Sequence, residues 1–139
     1  MFKNNLLPIA RWIGLDLTCE SRDRYAAEFV VRDELCTRDA SLHGGVMMAA
    51  ADLLGAMATV MNIGAGRTTK TIESKTNFLA GVPRGQKAVA ECVPLHRGQN
   101  TMVWETRIFR ENGSLAAVII QTQLVTADRA VSDAGVQPE

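Results

Sequence analysis

The sequence predicts an α+β fold in which one long helix packs against an antiparallel sheet of five to six strands. The helix is predicted over Val46 to Met61, a run that is apolar on nearly every face and rich in alanine and methionine, as is typical of an interior helix. Most of the remaining chain alternates apolar and polar residues with the two-residue period of a strand. Since one helix stands among strands instead of alternating with them, a parallel βαβ arrangement is not expected.

Turn and breaker residues separate the predicted elements. Residues 3–13 predict a short helix, in which Pro8 is tolerated only early in the helix or at a kink. Two antiparallel strands that turn at ESRDR are predicted between Leu15 and Cys36, and the glycines of NIGAGR end the long helix. Four further strands are predicted in TTKTIESKTNFLA, QKAVAECVPLH, NTMVWETRIFR and LAAVIIQTQLV, followed by a frayed tail without periodicity, ADRAVSDAGVQPE.

Length and composition exclude several classes of protein. The chain has 139 residues, enough for one domain and too few for two. Lys plus Arg and Asp plus Glu number 15 each, so the average surface lacks the positive charge that drives nucleic-acid binding. No run approaches the roughly 18 apolar residues of a membrane span, and the N-terminus lacks the apolar core of a signal peptide. We therefore expect a cytoplasmic protein that binds neither nucleic acid nor membrane.

The cysteines and histidines give little support for a metal site. Cys19, Cys36 and Cys92 form no CxxC pair, and His43 and His96 are far apart in the sequence. We expect buried free thiols in a reducing compartment and no metal.

The segment HGGVMMAAAD, residues 43–52, places a carboxylate in the apolar helix. Burying an unpaired carboxylate is costly, so such a group is kept where it is paired or performs chemistry. Gly44 and Gly45 let a ligand atom approach unpaired backbone N–H groups at the positive end of the helix dipole. A helix start that polarises a carbonyl oxygen, followed by Asp52, indicates attack on an acyl compound. The structural alternative is that His43 caps the helix, the glycines form a tight turn, and Asp52 is a partly exposed residue bonded to a neighbour.

The predicted sheet covers only one side of the helix. The other side of the helix and the long outer strands then lack partners. Pairing with a second copy would complete the burial, so we expect a homo-oligomer.

The motif and the strands after it resemble a known family. LHGGVMMAAAD, TIESKTNFLAGVPRG and PLHRGQNTMVWETRIFRENGSLAA, followed by a last apolar strand, resemble the hotdog-fold acyl-CoA thioesterases, in particular the phenylacetate-degradation and 4-hydroxybenzoyl-CoA thioesterase branch. The resemblance covers residues 15–126 and implies a single hotdog domain over residues 1–139. It also implies a homodimer joined sheet edge to sheet edge, dimers that commonly pair into tetramers, and active sites at the subunit interface. It implies no cofactor, because coenzyme A is part of the acyl-CoA substrate.

The resemblance assigns roles to individual residues. Asp52 takes the place of the catalytic carboxylate, either as the nucleophile or as the general base on water. Gly44 takes the place of the backbone N–H that polarises the thioester carbonyl, and His43 orients the helix start and the substrate. The residues implied in substrate binding are Gly45, Thr37, Thr71 with a hydroxyl facing the site, Asn77 and Phe78 on the strand adjoining LHRGQN, and the coenzyme A contacts His96, Arg97, Gly98 and Gln99.

Two positions depart from the family pattern. Many relatives carry asparagine or glutamine six residues before the motif histidine, where this chain has Thr37, and some carry serine or threonine where it has Ala56. Both departures leave open a non-catalytic protein that binds acyl thioesters. A hotdog hydratase or dehydratase is disfavoured, because DASLH places Asp39 four residues before His43 and lacks the Asn-Pro of the hydratase motif.

A thioester carbonyl has little resonance stabilisation, so a polarising donor and a carboxylate suffice without a Ser-His-Asp triad.

The acyl group and its carrier both stay open. Aromatic, medium-chain and longer acyl groups are all compatible with these residues, because subunit packing shapes the pocket. Coenzyme A is the expected carrier, and an acyl carrier protein would use the same entrance.

Overall fold

The computed structural model describes residues 7–129, which contain all of the predicted strands. Residues 3–6 of the predicted first helix and most of the predicted tail, from residue 130 on, lie outside this range. The elements are α1 Pro8–Ile13, β1 Asp16–Ser21, β2 Arg24–Val30, a 3₁₀ turn Asp33–Leu35, α2 Gly44–Val60, β3 Arg67–Phe78, β4 Lys87–Arg97, β5 Thr101–Arg110 and β6 Leu115–Ala127.

The six strands form one sheet in the order β1-β2-β4-β5-β6-β3. Every neighbouring pair is antiparallel. The predicted α+β class is therefore confirmed, and β6 runs to Ala127, slightly beyond the predicted strand. The outer strand β3 is 12 residues long and pairs only with β6, so one of its edges is open within residues 7–129.

The inner face of the sheet packs against α2 and forms the core. Tyr25, Ala27 and Phe29 are buried on β2, as their two-residue spacing predicts. Trp104 on β5 is fully buried, and its ring meets that of Tyr25 edge to face at 5.8 Å between centroids. The indole Nε1 of Trp104 donates to Thr59 of α2 at 2.8 Å, which satisfies the polar end of the buried ring.

Helix α2 is buried on one face only in the single chain. The expectation of a helix buried on every side is wrong in the single chain. The sheet covers one side, and α1 contacts α2 and buries Ala10 and Ile13 in the same core, but many positions of the helix are only half-buried. Val60 and Met61 at its C-terminal end are 56% and 45% exposed. The buried positions are Met47, Ala50, Ala51, Leu54, Gly55, Ala58 and Thr59.

The three cysteines are free thiols, but only Cys92 is buried. Cys19 and Cys36 are half-buried, so the expectation of three buried thiols is wrong for these two. Burial raises the pKa of the Cys92 thiol to about 11, which keeps it protonated at neutral pH. None of the helices within residues 7–129 is long and apolar enough to cross a membrane.

Candidate active site

The start of α2 presents one free backbone donor. His43 is the N-cap residue, and its Nδ1 accepts a hydrogen bond from the Gly45 N–H at 2.9 Å. The N–H groups of Val46 and Met47 bond to the His43 carbonyl. In the described part of the chain no acceptor is bonded to the Gly44 N–H, so this donor is left for a ligand. His43 therefore caps the helix. The Gly45 N–H is occupied by the His43 ring, whereas the Gly44 N–H is available to a ligand.

An apolar cavity of about 430 Å³ adjoins this donor. The ring of Phe78, at the end of β3, lies across the helix start. A Cβ added to Gly44 would lie 2.9 Å from two ring carbons of Phe78, so only glycine fits without moving that ring. The cavity is lined by Leu42, Gly44, Met47, Phe78, Leu79, Ala80 and Gly81.

Asp52 lies midway along α2 and is half-buried, so the expectation of full burial is wrong. Its Oδ1 accepts a hydrogen bond of 2.6 Å from the Thr71 hydroxyl on β3. Gln121 Nε2 on β6 lies 3.4 Å from the Asp52 main-chain oxygen and 3.5 Å from Oδ1. The carboxylate is therefore held on one side by two strands of the sheet.

A buried glutamine supports Thr71 from behind. Gln123 is 0% exposed, and its Nε2 donates to the Thr71 hydroxyl at 2.6 Å. The hydroxyl of Thr69 donates to Gln123 Oε1 at 2.8 Å. Sequence reasoning missed Gln121, Gln123 and Thr69. The available signal was two amides at alternate inward positions of a strand whose other inward residues are apolar.

Gly55 makes room for the second glutamine. A Cβ at this position would lie 2.4 Å from the side-chain amide carbon of Gln121. Glycine inside a helix costs about 1 kcal/mol relative to alanine, and here it admits a polar side chain between helix and sheet. The Gln121 amide consequently reaches the backbone and carboxylate of Asp52.

Gly44 and Asp52 are too far apart to hold one carbonyl group within a single chain. They are eight residues apart in α2, which corresponds to about 12 Å along the helix axis. A carbonyl that accepts from the Gly44 N–H therefore lies beyond the reach of Asp52 of the same chain.

A second cavity, of about 410 Å³, lies at the C-terminal end of α2 and is rich in arginine. Arg97 at the end of β4 pairs with Asp23 at 2.6 Å and donates to Asn62 Oδ1 at 3.2 Å. Arg22 and Arg67 form no ion pair within residues 7–129. The lining residues are Arg22, Asn62, Ile63, Gly64, Arg67, Arg97, Gly98, Gln99 and Met102, three of which belong to the predicted LHRGQN contacts.

The predicted substrate-binding residues fall into separate places. The expectation that Asn77 and Phe78 adjoin LHRGQN is wrong, because β3 pairs with β6 at one edge and β4 pairs with β2 and β5. The strand directions also place the end of β3 and the end of β4 at opposite ends of the sheet. Asn77 accepts from Lys75 at 2.6 Å. His96 lies against Gly98, where a Cβ would come within 2.7 Å of its Nε2.

The two departures from the family pattern lie in different places, Thr37 in an exposed turn and Ala56 one helical turn from Asp52. Thr37 is exposed in a turn closed by its N–H to the Ser41 carbonyl at 2.8 Å. It makes no hydrogen bond to Asp52 in the described part of the chain. Ala56 is half-buried one turn after Asp52 on α2. Among residues 7–129, no group of three or more His, Cys, Asp and Glu side chains is placed to hold a metal ion.

The fold, a helix-start N–H with no acceptor among residues 7–129 and the half-buried carboxylate are in line with a hotdog protein of the thioester hydrolase class. The profile of the thioesterase superfamily matches residues 40–117, more than half of the chain. The chain therefore belongs to the thioesterase superfamily. The predictions of the family and of the enzyme class are confirmed.

Known proteins agree with this membership. The proofreading thioesterase EntH of Cronobacter sakazakii is 35% identical over 72 residues, about half of each chain. The crystal structure of a thioesterase from Haemophilus influenzae is similar, with a TM-score of 0.82 and 26% identity, and covers 87% of this chain and 84% of that chain. A Streptococcus mutans protein bound to acetyl-CoA shares the fold, with a TM-score of 0.78 and 20% identity over 91% of this chain and 99% of that chain.

Proposed function

We propose that the chain hydrolyses acyl-CoA thioesters at a site built by two copies of the chain. The chemistry requires a polarising N–H and a carboxylate at the same carbonyl. The observation that carries the proposal is that the Gly44 N–H and the Asp52 carboxylate lie about 12 Å apart along α2 of one chain. A second copy related by a two-fold axis brings its own Asp52 to the Gly44 N–H of the first. Each dimer then holds two equivalent sites.

The open edge of β3 is the surface through which we propose that the two copies pair. Ile72, at the bulge of β3, is 58% exposed. The hydroxyls of Ser74 and Thr76 on the same strand are shielded from solvent and have no hydrogen-bond partner within the described residues. An open strand edge with an exposed apolar residue is suited to pairing with an identical strand. We propose a homodimer joined through β3, with a tetramer as the next level of assembly.

The chemistry follows from the two groups at the carbonyl. The Gly44 N–H donates to the thioester oxygen and stabilises the negative charge that develops there, aided by the helix dipole. As general base, Asp52 takes a proton from water, the hydroxide adds to the carbonyl carbon, and the thiolate of coenzyme A leaves and is protonated. As nucleophile, the carboxylate displaces the thiolate to form an anhydride, which water then hydrolyses. Both routes yield a carboxylic acid and free coenzyme A.

The two cavities support an acyl-CoA as the substrate. Arginine side chains bind phosphate oxygens well, and the basic cavity with Arg22, Arg67 and Arg97 suits the phosphates of coenzyme A. The apolar cavity beside Gly44 suits an aryl or fatty-acyl group. The acetyl-CoA bound to the Streptococcus mutans protein of the same fold is in line with this substrate class. An acyl carrier protein is the alternative carrier, and the cytoplasmic location stays a prediction.

The first experiment measures thiol release from phenylacetyl-, benzoyl-, hexanoyl- and palmitoyl-CoA. Asp52→Asn removes the negative charge with little change in shape, and we expect a loss of about a hundredfold or more in kcat. Asp39→Asn is the matched control, because Asp39 is exposed in a turn, and we expect it to keep wild-type activity. Wild-type turnover by Asp52→Asn would contradict the proposal, and binding without turnover by the wild type would favour a non-catalytic binding protein.

A mixed dimer tests whether two chains share one site. Gly44→Pro, which removes the N–H, and Asp52→Asn should each be inactive alone. Refolding them together restores one intact site in each mixed dimer, so we expect about a quarter of wild-type activity from an equal mixture. A mixture as inactive as the two single variants would place both groups in one chain and contradict the shared site.

A further inference from the structure

Two fully buried glutamines lie side by side on the inner face of β6. The inward positions of this strand are Ala117, Ile119, Gln121, Gln123 and Val125, so two amides interrupt an apolar row. Burying an amide without partners costs a few kcal/mol. Both glutamines lie on the side of the sheet that faces Asp52, and the carbonyl oxygen of Gln121 has no partner within residues 7–129.

We propose that Gln123, with Thr69 and Thr71, forms a relay of hydrogen bonds that orients the Asp52 carboxylate for attack. The relay runs from the Thr69 hydroxyl to Gln123 Oε1, from Gln123 Nε2 to the Thr71 hydroxyl, and from that hydroxyl to Asp52 Oδ1. These three residues are positioning residues, because they reach the reaction only through Asp52. The inference rests on the proposed function and specifies how the same site is organised.

The direction of the relay follows from counting protons. Thr71 has one hydroxyl proton and lies 2.6 Å from both Asp52 Oδ1 and the Gln123 side chain. An ionised carboxylate only accepts, so the Thr71 proton points to Asp52. Thr71 then accepts from Gln123, which must present Nε2 to Thr71 and Oε1 to Thr69. Thr69 also lies 3.2 Å from the Leu124 carbonyl, and its shorter contact, 2.8 Å, is with Gln123.

The strand register places the relay beside a bulge in β3. Thr71 and Gln123 are direct cross-strand partners, and the pairing shifts immediately afterwards, between Thr71 and Glu73. A bulge changes the direction in which neighbouring side chains point, and bulges are frequent beside active sites. Here the bulge directly follows Thr71, the residue that contacts the Asp52 carboxylate.

Holding one carboxylate oxygen leaves the other for chemistry. The bond from Thr71 fixes Oδ1, and Gln121 approaches the same oxygen. Within residues 7–129, Oδ2 has no hydrogen-bond partner, so it is free to contact water or the acyl carbon. A carboxylate fixed in this way spends more time in the attacking geometry, which raises kcat without tightening substrate binding.

The test compares variants of the relay with matched controls on the same strands. Benzoyl-CoA and hexanoyl-CoA serve as substrates, and S-hexyl-CoA, a thioether that cannot be hydrolysed, reports affinity. Thr71→Val removes the donor on an exposed strand position, and Thr71→Ser restores it. Gln123→Met keeps an unbranched side chain without the amide, and Gln123→Glu replaces the donor by an acceptor of the same shape. Thr68→Val is the control, because Thr68 is next to Thr69 on β3 and its side chain has no hydrogen bond in the described part of the chain.

We expect Thr71→Val and Gln123→Met to lower kcat about tenfold, with KM and the Kd of S-hexyl-CoA changed less than about twofold. Gln123→Glu should lower kcat at least as far, because its carboxylate draws the Thr71 proton away from Asp52. Thr71→Ser should recover most of the activity, and Thr68→Val should match the wild type.

Several outcomes would overturn the relay. Full kcat in Thr71→Val, an equal loss in Thr71→Ser, or a loss confined to KM would each do so while Asp52→Asn stays inactive. If Gln123→Met unfolds, as judged by its melting curve, the pair of Thr71 variants decides. Equal hydrolysis by the wild type and Asp52→Asn would instead contradict the proposed function itself, so the two failures are distinguishable.

Discussion

The two ends of α2 offer different surroundings to a ligand. The N-terminal end has a free Gly44 N–H beside an apolar cavity of about 430 Å³ that contains the Phe78 ring. The C-terminal end opens on a cavity of about 410 Å³ with three arginines. One helix thus has an apolar cavity at its start and a basic cavity at its C-terminal end. Asp52 lies between them, near the middle of the helix.

Under the proposed function, the two ends of α2 bind different parts of one substrate. In the proposed complex, the helix start binds the reacting carbonyl through backbone and apolar contacts without a charged side chain, so this binding depends little on ionic strength. In the same proposed complex, the arginine cavity binds the coenzyme A phosphates by charge, and that contribution weakens as ionic strength rises. Substitutions at the helix start, in the arginine cavity and in the apolar wall should therefore change different kinetic parameters.

The largest effect is expected at the helix start. Gly44→Pro and Gly44→Ala both add a Cβ near Phe78, but only proline removes the N–H, and proline is compatible with the first position of a helix. We expect kcat of Gly44→Pro to be about a hundredfold below that of Gly44→Ala. Thiol release from benzoyl-CoA measures the ratio. Equal rates in the two variants would show that the N–H does not polarise the carbonyl.

A smaller effect is expected at the arginine cavity. The double variant Arg22→Gln and Arg67→Gln removes two charges with no ion-pair partner within residues 7–129. We expect KM for an acyl-CoA to rise about tenfold with kcat unchanged. The same acyl group on pantetheine, which lacks the coenzyme A phosphates, should show no change. Arg107→Gln is the control, because Arg107 pairs with Glu105 away from the cavity.

The smallest effect is expected at the apolar wall beside Gly44. Phe78→Ala enlarges the cavity at the helix start, so the ratio of kcat/KM for phenylacetyl-CoA to that for hexanoyl-CoA should change by about threefold to tenfold. The dependence of KM on ionic strength should match that of the wild type. A change in salt dependence without a change in acyl preference would place Phe78 near the phosphates. That result would contradict the assignment of the acyl group to the helix start.

Much of the fold was predictable because periodicity is local. The alternation at Tyr25, Ala27 and Phe29 identifies a half-buried strand without knowledge of its neighbours. The predicted strand segments correspond to strands in the structure, and the long helix, predicted over Val46 to Met61, runs over Gly44–Val60. The sequence did not predict the sheet order, because it depends on which distant strands pair, and this led to the wrong placement of Asn77 and Phe78 beside LHRGQN.

The candidate site was predictable only in part for the same reason. Gly44 and Asp52 lie in one helix, so their spacing could be read from the sequence. The contacts of the carboxylate come from Thr71 and Gln121, which are 19 and 69 residues away. A polar residue at an inward position of a strand is visible in the sequence, but the residue to which it hydrogen-bonds is set by how the strands pair.

The class of fold, the position of the long helix and the motif at its start could all be predicted from the sequence, because these features depend on residues close together in the chain. The pairing of Thr71 with Gln123 beside Asp52 became visible in the folded chain alone, as did the cavity shared by Arg22, Arg67 and Arg97. The physical reason is that cross-strand pairing joins residues through hydrogen bonds whose register depends on the whole sheet. A carboxylate in an apolar helix is thus visible in the sequence, and its orientation is a property of the sheet packed against it.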